Sequence, residues 1–300
     1  MMPELEMKGV VKSFDGFRAL DGLDLSVEKG AVYGLVGPNG AGKTTAIKHL
    51  SGVYRQDAGE VLMEGKPIFE NPESKSRLVC VSDDVFFFSQ ATLRDMMLFY
   101  QGIYPRFDEL LYRKLGEVFP VEEGALIRRL SRGMQKQAMI RLAISAAPDV
   151  LILDEPMDGL DPVMRRQVWK LVLEQVAERE LTVLVSSHNL RELEDVCDHV
   201  GILHKGRCLL QRSLSELQDN IVKVLIALPE GRELPEELHP LHDSLMGRLH
   251  TLILRGDAEE NTRRLAELQP LYMDAVPLTL EEIFIYELGG ADYAVKDILL

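Results

Sequence analysis

Cysteine is scarce in this chain of 300 residues: Cys80, Cys197 and Cys208 lie far apart, with no C-x-x-C pair and no matching histidine cluster. That spacing excludes a disulfide frame and a structural zinc site, and predicts reduced thiols of the kind found in cytosolic proteins. Long hydrophobic runs are missing too. The longest candidates, such as 221–228, are strand-length and carry Lys223, whereas a membrane helix needs roughly 18–20 apolar residues. The opening Met1-Met2-Pro3-Glu4-Leu5-Glu6 is acidic and lacks the basic start and apolar centre of a secretion signal. Any role at a membrane is therefore expected to need a partner that supplies the spanning helices. Positive charge is in deficit, with 34 Lys and Arg against 48 Asp and Glu and a formal net charge of −14. General nucleic-acid binding wants a basic face, so this balance argues against it, although a local basic patch remains compatible. Internal repeats and sustained heptads are absent.

Against these absences stands one segment with specific chemistry. Gly37-Pro38-Asn39-Gly40-Ala41-Gly42-Lys43-Thr44 is a complete G-x-x-x-x-G-K-[ST] phosphate loop. Val32-Tyr33-Gly34-Leu35-Val36 before it reads as a buried strand, and Thr45-Ala46-Ile47-Lys48-His49-Leu50 after it as a helix start. Glycines let backbone N–H groups turn inward around phosphates without a Cβ clash, and the helix N-terminus behind them adds positive potential. Lys43 supplies a cation for the β- and γ-phosphates and Thr44 a hydroxyl for Mg²⁺. Gly37, Asn39, Gly40, Ala41, Gly42 and Thr45 complete the expected phosphate-binding set. A Gly-rich turn with a chance lysine would not also have this strand before it and this helix behind it. The segment predicts binding of a nucleoside triphosphate. No N-K-x-D segment for guanine recognition occurs, which favours ATP over GTP.

The length suits two domains, and 46% hydrophobic residues are ample for a packed core beneath an ordinary soluble surface of 27% charged residues. Through about residue 212, apolar strands alternate with amphipathic helices, the pattern of an α/β layered domain with a largely parallel core sheet. Strands are predicted at 31–36, 78–81, 150–153, 182–186 and 200–203. Asp161 as N-cap and Pro162 at the first helical position open a helix with Val168, Leu171, Val172 and Val176 on one stripe. Leu190, Leu193, Val196, Cys197 and Val200 recur at helical spacing and predict a further helix after Asn189. Between about 92 and 147 strand signals vanish, which predicts a helical subdomain. After about Ser213, strands are expected at 221–228, 248–254 and 272–276, with a helix at 257–268 and a Pro/Glu/His-rich linker at 229–242. A last helix opens at Thr279, with Glu282 at capping-box spacing.

A second constellation follows the strand at 150–153, which ends in Asp154-Glu155-Pro156. A sheet strand delivers Asp154 beside the phosphate loop, where it can hold Mg²⁺, and places Glu155 to polarise an attacking water. The chain here resembles the nucleotide-binding subunit of an ATP-binding cassette transporter. Leu130-Ser131-Arg132-Gly133-Met134-Gln135 is similar to that family's L-S-G-G-Q signature, Gly159-Leu160-Asp161 to its D-loop, and Ser187-His188 to the strand end that carries its switch histidine. Phe14, in Lys12-Ser13-Phe14-Asp15-Gly16, stands where the family has an adenine-stacking aromatic. The order and spacing cover about 200 residues.

The resemblance implies an α/β phosphate-loop NTPase with a RecA-like core of mostly parallel strands, an N-terminal antiparallel β part and the helical signature subdomain. Residues 1–212 would form this cassette and 213–300 a small C-terminal α/β appendage. It implies ATP with Mg²⁺, Glu155 as general base, His188 on the γ-phosphate, and a metal set of Thr44, Asp154 and Asp83. Ser131 and Gly133 open a helix whose N-terminus is an anion site; by resemblance that site, with Asp161, meets the ATP of a second cassette in a head-to-tail dimer. A separate permease would place the chain peripherally on the inner face of the cell membrane.

Two departures stand out. Arg132 stands at the first glycine of the L-S-G-G-Q form, with the glutamine shifted by one place to Gln135, a change that exporter-type cassettes tolerate. Asp83 lies in Val79-Cys80-Val81-Ser82-Asp83-Asp84 where the family has a glutamine, and a carboxylate cannot donate an amide hydrogen bond. Leu278-Thr279-Leu280-Glu281-Glu282-Ile283-Phe284 is similar to the ending of many exporter-type cassettes, and equally to any amphipathic terminal helix. The expectation is the ATPase subunit of an exporter. A soluble cassette ATPase acting on ribosomes or DNA would usually carry two cassettes or a coiled coil; an ATP-sensing regulator would turn over slowly despite Glu155 and His188.

Overall fold

The computed structural model describes residues 3–83, 87–219, 221–232, 234–235 and 238–288; Asp84 of the segment just discussed lies outside them. The chain divides into two units, Met1–Asn189 with Val196–Gln211, and Leu190–Asp195 with Arg212–Leu300.

The first unit opens on a hairpin, β1 (Leu5–Phe14) and β2 (Phe17–Val27). Its two-residue turn has Asp15 at φ 47° and Gly16 at φ 84°, the pair of positive values that a tight hairpin of this twist requires. Along the chain follow β3 (Val32–Val36), β4 (Ala58–Met63), β5 (Lys66–Pro67), β6 (Leu78–Val81), β7 (Val150–Asp154), β8 (Thr182–Ser187), β9 (His199–His204) and β10 (Arg207–Ser213). The helices are α1 (Lys43–Leu50), α2 (Pro72–Ser76), α3 (Leu93–Ile103), α4 (Glu109–Val118), α5 (Arg132–Ser145) and α6 (Pro162–Arg179). One sheet, ordered β2-β1-β4-β5, is antiparallel. The other is ordered β10-β9-β3-β8-β7-β6, and the pairings from β9 to β6 are parallel. Every residue of β3, β7 and β8 is buried, which is why these strands read as unbroken apolar runs rather than alternating ones.

One core joins the two sheets through Leu5, Leu23, Leu35, Ile47, Met63, Ile152 and Leu184. Gln211 stitches them further: its amide accepts from Ser26 N–H at 3.1 Å, donates back to Ser26 O at 3.1 Å, and accepts the Tyr33 hydroxyl at 3.0 Å. The stretch 92–147 holds α3, α4, a 3₁₀ turn at Ile127–Arg129 and α5. α6 begins as read, with Asp161 Oδ1 accepting from Val163 and Met164 N–H at 3.0 Å. The helix expected after Asn189 is cut short: only Arg191–Glu194 (α7) is helical. Asp198 grips Val32, donating its N–H to Val32 O at 2.9 Å and accepting Val32 N–H on its carboxylate at 2.8 Å. That hold turns the chain into β9, so Val200 belongs to the sheet and Cys197 to the short link before it.

The second unit adds α8 (Leu214–Asp219), β11 (Ile221–Ala227), β12 (His242–Met246), β13 (Leu249–Arg255), α9 (Ala258–Ala266), β14 (Tyr272–Val276) and α10 (Leu280–Leu288). Its sheet, β12-β13-β11-β14, is antiparallel throughout. Thr279 and Glu282 cap α10 reciprocally, Thr279 N–H to Glu282 Oε2 at 3.0 Å and Glu282 N–H to Thr279 Oγ1 at 3.2 Å. β12 escaped sequence reading because all five of its residues are exposed and no alternation marks it.

Gly201 in β9 is packed against Tyr33, and a Cβ there would lie 2.0 Å from the Tyr33 hydroxyl oxygen. Gly201→Ala is therefore expected to destabilise the fold by about 1–3 kcal/mol through overpacking. The loss should be smaller in a Tyr33→Phe background, which removes that oxygen. Urea denaturation of the single and double variants checks this; equal losses in both backgrounds would show that the oxygen is not the obstacle.

Candidate functional site at the strand ends

The parallel register brings three strand ends to one level: Val36 of β3 pairs with Ser187 of β8, and Asp154 of β7 with Ser186 of β8. Beyond β3 the chain turns through the phosphate loop into α1. A Cβ on Gly37 would sit 2.3 Å from Leu203 O, and one on Gly42, at φ 111°, 2.9 Å from Ala19 O, so neither position admits a side chain. Gly40 also has a positive φ of 81°. Ala41 is buried, whereas Asn39, Gly40 and Thr44 are exposed and Thr45 is half-buried. Gly42, the N-cap of α1, makes no side-chain cap, so the leading amides of this helix are not capped by its own side chain and suit an anion. Lys43 is buried, and its ammonium donates to Gly37 O at 2.6 Å.

Opposite stand the acids. Asp154 is buried and accepts the Ser186 hydroxyl at 2.6 Å; that same oxygen accepts Glu155 N–H at 3.1 Å. Glu155 follows at φ 46°, in the left-handed region. Its carbonyl accepts from Lys136 Nζ at 2.8 Å. Its carboxylate lies 3.4 Å from Lys43 Nζ and 2.9 Å from His188 Nδ1. An ionised carboxylate only accepts, so in this contact Nδ1 carries the proton. Asp158 brings a further carboxylate within 4.8 Å of the Glu155 and His188 ligand atoms.

A cavity of about 740 Å³ is lined by Thr44, Asp154, Asp83, Cys80, Lys48 and Tyr104 among others. Burial and the nearby Asp154 push the Cys80 thiol up to about 12, so it stays protonated and is no nucleophile. Asp83 has a partner that its sequence neighbourhood does not show. Its carboxylate faces this cavity with Thr44 and Asp154, but Oδ1 lies 3.3 Å from Lys136 Nζ, so the charge is offset by an ammonium rather than standing bare beside a metal.

The remaining residues lie in other places. Ser131 is the exposed N-cap of α5, its hydroxyl accepting Met134 N–H at 3.3 Å. Gly133 approaches the D-loop of its own chain, where a Cβ would lie 3.2 Å from Gly159 O, and Asp161 is engaged in capping α6. Phe14, at the hairpin tip, packs 5.4 Å from the Tyr54 ring with Lys12 Nζ 5.5 Å over its own face. Two residues of the central cluster went unread. Ser186 showed only as the polar end of an apolar strand, and Lys136 was not singled out.

A phosphate loop and an acid pair at the carboxyl ends of parallel strands define a phosphate-loop nucleoside triphosphatase. A family model described as ABC transporter matches residues 20–158. The ABC transporter ATP-binding protein YtrB of Bacillus subtilis (strain 168) is 32% identical over 288 residues, 95% of this chain and 98% of that protein. A Nod factor export ATP-binding protein I of Burkholderia thailandensis is 31% identical over 94% of this chain and 95% of its own length. A solved ATP-binding subunit of an ABC transporter superposes with a TM-score of 0.66 at 27% identity, over 71% of this chain and 91% of that one. The chain belongs to the ATP-binding subunits of ABC transporters, ATPases that hydrolyse ATP to power transport.

Lys43→Ala removes the buried cation aimed at the loop and is expected to weaken ATP binding at least about tenfold, as loss of a charge-assisted contact does. Calorimetric titration of the folded variant measures it. Undiminished affinity would take Lys43 out of the phosphate site.

Proposed function

We propose that this chain is the ATPase subunit of an exporter, one of two cassettes that close head-to-tail on ATP and reopen after hydrolysis. A separate permease supplies the membrane path. Among the described residues no helix is long and apolar enough to cross a membrane, which fits a chain held at the inner membrane face by its partner. The relative named for Nod factor export supports the direction of transport.

The observation that carries the mechanism is the Glu155 carboxylate between Lys43 and His188. In this reading ATP binds with its phosphates on the loop 37–42, the α1 amides and Lys43. Phe14 offers its face to the adenine. Glu155 takes a proton from water as its oxygen attacks the γ-phosphorus, and the bond to the β–γ bridging oxygen breaks, giving ADP and phosphate. His188, oriented through Nδ1, contacts the γ-phosphate in the same chain. Ser131, Gly133 and Asp161 serve the nucleotide of the opposite cassette, at the open start of α5. Thr44 and Asp154 put two oxygen donors on one cavity, and Ser186 fixes one Asp154 oxygen, a set that fits a small hard dication such as Mg²⁺. When bound, that ion offsets phosphate charge. Asp83 would touch the metal only by giving up part of its hold on Lys136.

Glu155→Gln keeps the side chain's size and removes the base. It is expected to lower kcat by about 10²–10⁴-fold while ATP affinity stays within about threefold. Size-exclusion chromatography with Mg-ATP should then show a nucleotide-dependent dimer, with the second cassette supplied if the natural pair is heteromeric. Turnover at the parent rate would move the base elsewhere. Co-purification with a polytopic membrane protein from detergent extracts tests the permease half of the reading, and its absence would favour a soluble cassette ATPase.

A further inference from the structure

Lys136 is an unusual place for a charge. It lies in the second turn of α5, its side chain is only 7% exposed, and the residues that follow from Ala138 to Ser145 are buried. A buried ammonium is costly unless it is paired and hydrogen-bonded. This one has two partners from separate strand ends: the Glu155 carbonyl at 2.8 Å and Asp83 Oδ1, beyond β6, at 3.3 Å.

The Glu155 end explains what the lysine does. A non-glycine residue at φ 46° sits in a sparsely populated region, so the contacts that hold its backbone there matter. Here the Ser186 hydroxyl accepts the Glu155 N–H and the Lys136 ammonium donates to the Glu155 carbonyl. With both of its own backbone polar groups anchored, the Cα is held in the left-handed conformation. That conformation aims the carboxylate at Lys43 and His188. Without Lys136 the carbonyl keeps only the long contact from Asp158 N–H at 3.4 Å, and the carboxylate loses its fixed direction. Asp83 sets the ammonium from the other side. It is 56% exposed and lines the same cavity as Thr44 and Asp154, so its position is sensed at Glu155 through one side chain.

We propose that Lys136 is a positioning residue for hydrolysis, fixing the backbone of Glu155, and that Asp83 is the counter-ion that holds Lys136 in place. The proposal rests on Glu155 being the general base. Neither residue need touch substrate to act in this way.

Steady-state kcat, with ATP Kd measured separately, on the full chain tests it at saturating Mg²⁺. Lys136→Met is expected to lower kcat about 30-fold or more with Kd within about threefold, a split that follows from a misdirected base. Lys136→Arg keeps a cation and donors and should recover to within about fivefold of the parent. Asp83→Asn should cost about 3–10-fold alone and nothing further when added to Lys136→Met, since both remove one unit. Parent-like kcat in Lys136→Met, or effects of the two substitutions that multiply, would overturn the proposal. Glu155→Gln in the same assay separates the two readings. If it abolishes turnover while Lys136→Met does not, only the positioning role fails; if it turns over normally, the general-base reading fails. Should Lys136→Met not fold, Asp83→Asn decides: a fall in kcat at saturating Mg²⁺ supports the pair, and an unchanged kcat overturns it.

Discussion

The parallel register of β3, β8 and β7 is the constraint on which this site depends. With Val36 opposite Ser187 and Asp154 opposite Ser186, the phosphate loop, the acid pair and His188 all leave the sheet at the same edge. A slip of one residue in β7 would turn Asp154 to the other face of the sheet. Complete burial of the three strands opposes such a slip, because it would take the buried Asp154 away from the Ser186 hydroxyl that pairs it. Packing thus fixes chemistry that composition alone does not.

The same burial explains the pairing of charges. Lys43, Lys136 and Asp154 are all buried, and each is matched: Lys43 by Gly37 O and Glu155, Lys136 by Asp83 and Glu155 O, Asp154 by Ser186. Glu155 is the common node. Two of the cations reach it, one at the carboxylate and one at the backbone, and Ser186 bridges its N–H to the neighbouring Asp154. Within a protein such contacts are stronger than in water, and a broken one leaves an expensive orphan. The arrangement therefore holds its geometry stiffly around one residue in a strained conformation.

Much of this was legible in the sequence, for identifiable reasons. β3, β6, β7, β8 and β9 are short and mostly buried, so clustered apolar residues marked them. The loop 37–42 declared itself because Gly37 and Gly42 stand where no Cβ fits. Asp161-Pro162 and Thr279-Glu282 are local codes, each satisfied within a few residues. Long-range or exposed features were not legible. β12 has no buried face, and the pattern after Asn189 imitated a helix because Asp198 ties that segment to Val32. The partners of Lys136 lie 53 and 19 residues away, so its sequence neighbourhood carries no trace of them. Asp83 illustrates the same limit: resemblance placed it in the site, and only the fold disclosed which cation it answers to.

The account's central claim is that one strand edge gathers Lys43, Asp154, Glu155 and His188 around a single triphosphate. The direct measurement is a crystal structure of the Glu155→Gln chain with Mg²⁺ and ATP. The account predicts the β- and γ-phosphates within hydrogen-bond distance of Lys43 and the loop amides, the metal beside Thr44 and Asp154, and residue 155 facing a water in line with the γ-phosphorus. Phosphates bound away from Lys43, or residue 155 turned from the γ-phosphate with its carbonyl still held by Lys136, would contradict it.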